Sequence, residues 1–439
     1  MNQTLLIKGG RIIDPSQKID ETGSLLVAEG KIAWLGKGEA TPPKTDYEVL
    51  DAQGLVVCPG LIDLHCHLRQ PGYEEKETIA SGTKAAARGG FTTICCMPNT
   101  NPPLDNQTAI EYIKAKAAAE AVVRVLAIGC ISKGRKGQEL AEMGEMAAAG
   151  AVAFSDDGEP VLSSHIMRQA LDYSRAFDLP VIDHCEDTAL TEGGQMNEGV
   201  VSARLGLRGI PNAAEDIIVA RDLALAQLTG GRLHIAHATT EGAVELIRRA
   251  KEKGVRVTAE VTPHHLTLTE ERVIGYNTNA KVNPPLRTER DIEALIQGLN
   301  DNTIDIIATD HAPHTEGDKL CEFALAPFGI SGLETALGSL MGLVHKKQLS
   351  LATLIAKLTH EPAKILGAKQ GKLGTLAVGA PADVTIFDPN LEWVVDTKDF
   401  ASKGKNTPLV GEKLKGRVIA TIYQGKVVYK DKTIKLKQR

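Results

Sequence analysis

Several widely separated stretches of the chain carry side chains suited to holding a cation. His65 and His67 stand one residue apart in "LIDLHCHLR". Residues two apart on a strand face the same way, so these imidazoles point together and Cys66 points to the opposite side. "AFSDDG" brings Asp156 and Asp157, "IDHCED" His184, "HIAHAT" His237, and "IATDHAPH" Asp310, His311 and His314. Imidazole nitrogen and carboxylate oxygen are zinc ligands. Burying so many polar groups is costly unless something satisfies them, and coordination does so. Two cations in such a cluster can share and acidify one water, polarise an amide carbonyl and neutralise its oxyanion. A carboxylate beside that water can take its proton and pass it to a leaving nitrogen, a role Asp310 fits by position and type.

Positioning these groups falls to a run of alternating elements. Apolar, strand-like runs are expected at 61–67, 92–99, 123–132, 151–158, 180–187, 232–239, 256–265 and 305–314. Between most of them lie helix-like stretches such as "KETIASGTKAAARGG", "SSHIMRQALDYSRAF", "AAEDIIVARDLALAQL" and "EGAVELIRRAKEKG". Ser163 or Ser164 suits a helix N-cap and Gly254 a C-terminal stop. Strands alternating with helices imply a parallel sheet, and eight such units an α/β fold closed as a (β/α)8 TIM-like barrel. Parallel barrel strands deliver their C-terminal ends to one rim, which gathers the polar groups into one cluster.

Both chain ends read differently. "TLLIKGGRIID" and "GSLLVAEGKIAWLG" at the start, with "GTLAVGAPADVTIFDP" and "GRVIATIYQGKVVYK" at the finish, are apolar runs broken by glycine. Each end is too short to make a stable β-domain alone. They are expected to combine into a small composite β-sandwich, residues 1–56 and 363–439 being its halves and 57–362 the catalytic barrel.

Aromatics make up only 4% of the 439 residues, so Ala, Val, Ile and Leu must build the core. A net charge of −5 with no basic block argues against nucleic acid or an anionic membrane as partner. Cys58, Cys66, Cys95, Cys96, Cys130, Cys185 and Cys321 show neither zinc-ribbon nor redox spacing, which suits a reducing compartment. With no signal-peptide pattern and no membrane-length apolar run, a cytoplasmic location is expected.

"PGLIDLHCHLRQPG", "GGFTTICCMPNT", "AFSDDG", "HCED", "TAEVTPHHL", "NPPLR", "ATDHAPH", "APFGISGLET" and "SKGKNTPLVG" together resemble the motif series of the class I bacterial dihydroorotases, in the amidohydrolase superfamily. The resemblance implies reversible cyclisation of N-carbamoyl-L-aspartate to L-dihydroorotate and water, in pyrimidine synthesis. It implies two zinc sites: His65 and His67 with Asp310 nearby on the first, His184 and His237 on the second, Asp157 and a hydroxide between them. Strand parity leaves Asp156 and Asp157 open; the match of "DDG" selects Asp157. Several amidohydrolases bridge their metals with a carbamylated lysine, but "AVAFSDDG" contains none, so a carboxylate must serve and occupancy of the second site stays open.

The same resemblance places substrate contacts at His67, Arg69, Asn99, Asn283, His314, Phe328 and Gly329. Arg69 lies on the face of His67 if the strand extends that far, and a guanidinium forks onto a carboxylate. His314 is expected to donate to that carboxylate. His264 and His265 read as core or supporting residues, and His311 as orienting Asp310 or a metal ligand. His165, His234, His345 and His360 read as ordinary. Residues 314–329, "HTEGDKLCEFALAPFG", are a candidate lid. A homodimer is expected, with association with aspartate carbamoyltransferase open. Allantoinase or hydantoinase is the alternative activity; a scaffolding role conflicts with the complete ligand set.

Overall fold

Eight short strands occupy the expected runs in the computed structural model, which describes residues 4–38, 47–432 and 436–438. They are β1 (Leu61–Cys66), β2 (Phe91–Cys96), β3 (Arg124–Ala127), β4 (Phe154–Ser155), β5 (Val181–Asp183), β6 (Leu233–Ile235), β7 (Val257–Val261) and β8 (Ile306–Ile307). β1–β3 form one parallel sheet and β4–β8 another. Parallel bridges Gly129↔Phe154 and Cys66↔His311 join the two sheets at both edges, so the paired path returns to its start. Every residue of β1 and β2 is buried, as parallel strands covered on both faces require.

These strands are shorter than the apolar runs. His65 is still inside β1, but other polar side chains come from chain that has left the ladder: His184 follows β5 directly, His237 lies two residues past β6 and Asp310 three past β8. His237 and Asp310 have φ of 30° and 44°, in the left-handed region that L-residues enter only under constraint.

Helices return the chain between strands. Ser163 caps Ser164–Ser174 by accepting from the Ile166 amide, and Thr240 caps Glu241–Glu252 through the Ala243 amide. In the latter helix Ala243, Val244, Ile247 and Ala250 are buried, a stripe at helical spacing turned toward the strands. Gly254, with φ of 77°, turns the chain just past that helix.

Strands from the two chain ends share one nine-stranded sheet. Val56–Pro59 stitches it together, pairing parallel with Thr4–Asp14 and antiparallel with Val384–Val394. Leu5, Ile7, Leu25, Val27, Val384, Ile386, Ala420 and Ile422 give this sheet an apolar cluster separate from the main core. Residues 1–3, 39–46, 433–435 and 439 of the expected terminal segments lie outside the described residues. No helix among the described residues is long and apolar enough to cross a membrane.

Candidate active site and metal centre

The six expected ligands converge. His67 Nε2 lies 3.0 Å from Asp310 Oδ1 and 3.5 Å from Asp157 Oδ2; His65 Nε2 lies 3.3 Å from Asp157 Oδ1 and 3.5 Å from Asp310 Oδ1. His237 Nε2 is 3.5 Å and His184 Nδ1 3.8 Å from the same Asp157 oxygen, and these two nitrogens are 3.0 Å apart. Asp157 therefore touches both histidine pairs. His65, His67 and Asp310 form one tight ligand triad; His65, Asp157 and His237 form another, so His65 belongs to both.

Outward hydrogen bonds fix which imidazole nitrogen faces inward. His65 Nδ1 donates to Glu260 Oε1 at 2.5 Å, His67 Nδ1 to Asn99 Oδ1 at 2.8 Å and His184 Nε2 to Glu186 Oε2 at 2.9 Å. Each ring thereby turns its other nitrogen to the cluster, where as a neutral imidazole it offers a lone pair, the arrangement a metal ligand needs. His237 differs: its Nδ1 is buried without a partner. Burial works against ionising Asp157 and Asp310, but the surrounding histidines override it and hold both carboxyls below the usual carboxylate range. His65 Nε2 and Asp157 Oδ1 are both buried without a hydrogen bond. A cation shared between them would satisfy both, so the donor set fits a divalent metal.

Neighbouring groups hold this arrangement in place. The Glu260 carboxylate accepts from His65, from His234 Nε2 at 3.1 Å and from the His237 amide at 3.3 Å. Burial would raise Glu260, yet His65 and His234 hold it at about 2. Asp63 in β1 accepts from the Thr309 amide and hydroxyl at 2.8 and 2.6 Å, fixing the strained turn before Asp310. Arg135 donates to the carbonyls of Asp156 and Asp157. Asp156 itself turns away and accepts from the Ile131 and Ser132 amides, so its carboxylate supports the loop.

A cavity of about 230 Å³ opens on the cluster, lined by His67, Arg69, Asn99, Asp157, His184, His237, Asn283, Asp310, His314, Phe328 and Gly329 among others. All seven expected substrate contacts are in that lining. Two larger clefts, about 840 and 570 Å³, border the terminal sheet and contain none of the clustered histidines.

Several side chains reach these places by unexpected routes. β1 ends at Cys66, so the strand does not extend to Arg69; a turn with φ of 59° carries Arg69 to the cavity, where Nε donates to the Pro313 carbonyl. His314 lines the cavity as expected, and its Nε2 donates to the Phe328 carbonyl at 2.8 Å. Burial, with Arg69 and Lys319 nearby, pushes this imidazole down to about 3, so it is neutral and has no second proton. The His311 ring accepts from the Gly332 amide and approaches Glu77 and Ser402, away from the ligands; its carbonyl, accepting from the His67 amide, is what touches the site. His265 bonds Thr262 and the Pro284 carbonyl, a supporting position, and His264 is buried with Nε2 unpartnered.

Four contributors escape the reading of the sequence. Glu260 is betrayed by a lone acid inside the apolar run of β7, and Glu186 by its place two residues after His184. Arg135 carries no local signal, and Asn406 lies in "SKGKNTPLVG" with nothing in the sequence that gives it a role. Asn406 accepts from the His314 amide and donates to the Ala312 and Gly329 carbonyls, stapling two cavity-lining segments. A further cluster, Asp183, Cys185 and Asp222, lies outside the cavity, and Arg221 already occupies its cationic place, 2.7 Å from Asp222.

A family model described as dihydro-orotase-like matches residues 54–243. The dihydroorotase of Geotalea daltonii is 54% identical over 426 residues, 97% of this chain and 99% of that one. That of Pelotomaculum thermopropionicum is 54% identical over 432 residues, 98% and 100% of the two chains. Among solved structures, the L-hydantoinase of Arthrobacter aurescens superposes with a TM-score of 0.88 at 26% identity, covering 100% of this chain and 98% of that one. A D-hydantoinase from a Thermus species gives 0.82 at 26% identity over 97% and 95%. With more than half of its residues shared along nearly its whole length, the chain belongs to the dihydroorotase family.

Proposed function

We propose that this protein is a zinc-dependent dihydroorotase, reversibly cyclising N-carbamoyl-L-aspartate to L-dihydroorotate with release of water in pyrimidine (UMP) synthesis. The supporting observation is the clustering of His65, His67, His184 and His237 with two ionised aspartates beside one small cavity, in a chain 54% identical to dihydroorotases. We read the ring of strands as a closed (β/α)8 barrel spanning 57–362, with 1–56 and 363–439 as the halves of a small β-sandwich.

His65, His67 and Asp310 would hold one zinc, His184 and His237 the other, with Asp157 between them. Bound zinc supplies an acidified water and a polarised carbonyl. Asp310 takes the water's proton and delivers it to the ring nitrogen that leaves; in the closing direction it moves the proton back. Arg69 pairs with the substrate carboxylate, Asn99 and Asn283 flank the ring, and backbone groups of Phe328 and Gly329 meet its amide edge. His314, by donating to the Phe328 carbonyl, fixes that edge.

Side-by-side assays of L-dihydroorotate, hydantoin and allantoin, with elemental analysis of the protein, test this reading. The structural likeness to hydantoinases makes hydantoin the informative competitor. Turnover of L-dihydroorotate with bound zinc is expected; turnover of hydantoin alone contradicts the proposal. We extend the reading to a homodimer, tested by light scattering, and to association with aspartate carbamoyltransferase, tested by co-elution.

A further inference from the structure

Both ends of segment 314–329 line the cavity, and two lysines tie its middle to residues 278–283. Lys281 Nζ donates to the carbonyls of Phe323 at 2.7 Å and Ala324 at 3.0 Å, and stands 4.7 Å from the centre of the Phe328 ring. Lys319 Nζ reaches back to the carbonyls of Thr278 at 3.1 Å and Lys281 at 3.4 Å, and to Pro327 at 2.6 Å. Thr278 Oγ1 donates to the Lys319 carbonyl at 2.7 Å, and the Gly329 amide to the Lys281 carbonyl at 2.9 Å. Each segment thus grips the other through a lysine.

Both ammonium groups are buried, and every oxygen receiving them is an uncharged carbonyl. A buried charge without a counter-charge is expensive. Burial, reinforced by Lys281 and Arg69 and opposed by Cys321 and Asp318, pushes Lys319 down to about 7. Arg69 adds a further cation at the cavity wall. Lys281 and Lys319 stand behind the cavity wall formed by Val282, Asn283, Phe328 and Gly329, and the groups that hold them there are uncharged carbonyls.

We propose that Lys281 and Lys319 are positioning residues: their reciprocal clasp seats Phe328 and Gly329 against a carboxylate-bearing ring, and the bound anion supplies the negative charge that the clasp lacks. Binding and closure then strengthen each other, as linkage requires. This rests on the anionic substrate of the proposed function.

Hydrogen exchange of the 314–329 peptide and steady-state kinetics test the clasp in wild type, Lys281→Met, Lys319→Met, the double variant, Lys319→Arg and Thr278→Val. Lys319→Met is expected to raise KM for L-dihydroorotate about tenfold or more, with kcat within about threefold and zinc content unchanged. Lys319→Arg, which keeps charge and donors, recovers most of that loss, and the double variant is no worse than the worse single one. L-Dihydroorotate slows exchange of 314–329 in wild type but not in Lys319→Met, while peptides 61–67 and 233–237 do not respond to the substitution. An unchanged KM, or exchange in wild type indifferent to ligand, overturns the proposal. Should Lys319→Met not fold, Thr278→Val is read instead: a KM rise of about threefold supports the clasp and none overturns it. If the wild type neither binds nor turns over L-dihydroorotate, the proposed function and the anion's part fall together; the clasp itself then rests on unliganded exchange, faster in the methionine variants if it exists and unchanged if it does not.

Discussion

The strand-end side of the cavity and its loop side are held by different means. On the strand-end side, His65, His67, His184, Asp157 and Asp310 stand at or just past parallel strands, and Glu260, Asn99, Glu186 and Asp63 brace them from behind. On the loop side, His314, Phe328 and Gly329 stand on irregular chain tied by carbonyls, two lysine ammoniums and the Asn406 amide. The first arrangement fixes ligand geometry before anything binds, which metal and transition-state stabilisation reward. The second permits movement at modest cost, which substrate entry rewards. Substitutions on the strand-end side should therefore strike metal and kcat, and those on the loop side KM.

The sharpest break is at the acids. His67→Ala and Asp157→Ala should each lose metal and turnover together, while Asp310→Ala should lower kcat about a thousandfold with much of the metal retained. Near-normal turnover of Asp310→Ala would move the proton transfer elsewhere. Glu260→Gln keeps the shape but loses the charge facing His65; equilibrium dialysis should show zinc affinity reduced by about 10–100-fold. Undiminished affinity would mean that the strand ends need no bracing. Arg69→Ala, on the loop side, should raise KM for L-dihydroorotate about ten- to a hundredfold with kcat changed little. Loss of zinc in that variant would erase the distinction between the sides. Asn406→Ala leaves a buried amide and two carbonyls unpaired, so denaturant unfolding should show a loss of about 1–3 kcal/mol, with a smaller rise in KM.

A separate effect falls on pH-dependent stability, away from both sides of the cavity. Burial pushes Glu334, which accepts from the Ala401 and Ser402 amides and pairs with Arg88, up to about 7. Its folded form therefore holds a proton that the unfolded chain has already released. The stability it contributes is present below the ordinary glutamate value of about 4.3 and is lost as pH rises through about 7. Glu334→Gln should flatten that part of the stability profile between pH 4.5 and about 7.5; an unchanged slope would assign the fall to other groups.

Legibility in the sequence divides along the same line. The ligands can be read because alternation reveals strands, and a polar residue ending an apolar run is costly to bury unless a ligand or a partner satisfies it. His65 and His67 show this best. Asp156 and Asp157 mark the limit: the same side chain in adjacent places braces a loop in one and joins the cluster in the other, because the chain has left the ladder and strand parity no longer applies. Arg69 makes the same point, since it reaches the cavity through a left-handed turn and not along an extended strand. The contacts of Asn406, Lys281 and Lys319 join segments far apart or read as ordinary polar loop residues, so spacing carries no trace of them. The strands fall short of their expected lengths for a related reason: the apolar runs continue past the last paired residue into the turns that carry the ligands.

Zinc per chain measured together with L-dihydroorotate turnover, before and after chelator dialysis and again after zinc is restored, tests most directly whether these strand ends work as a metal centre. Bound zinc in the purified protein, turnover abolished on its removal and recovered on its return are the predicted results. Full turnover by protein shown to be metal-free would contradict them.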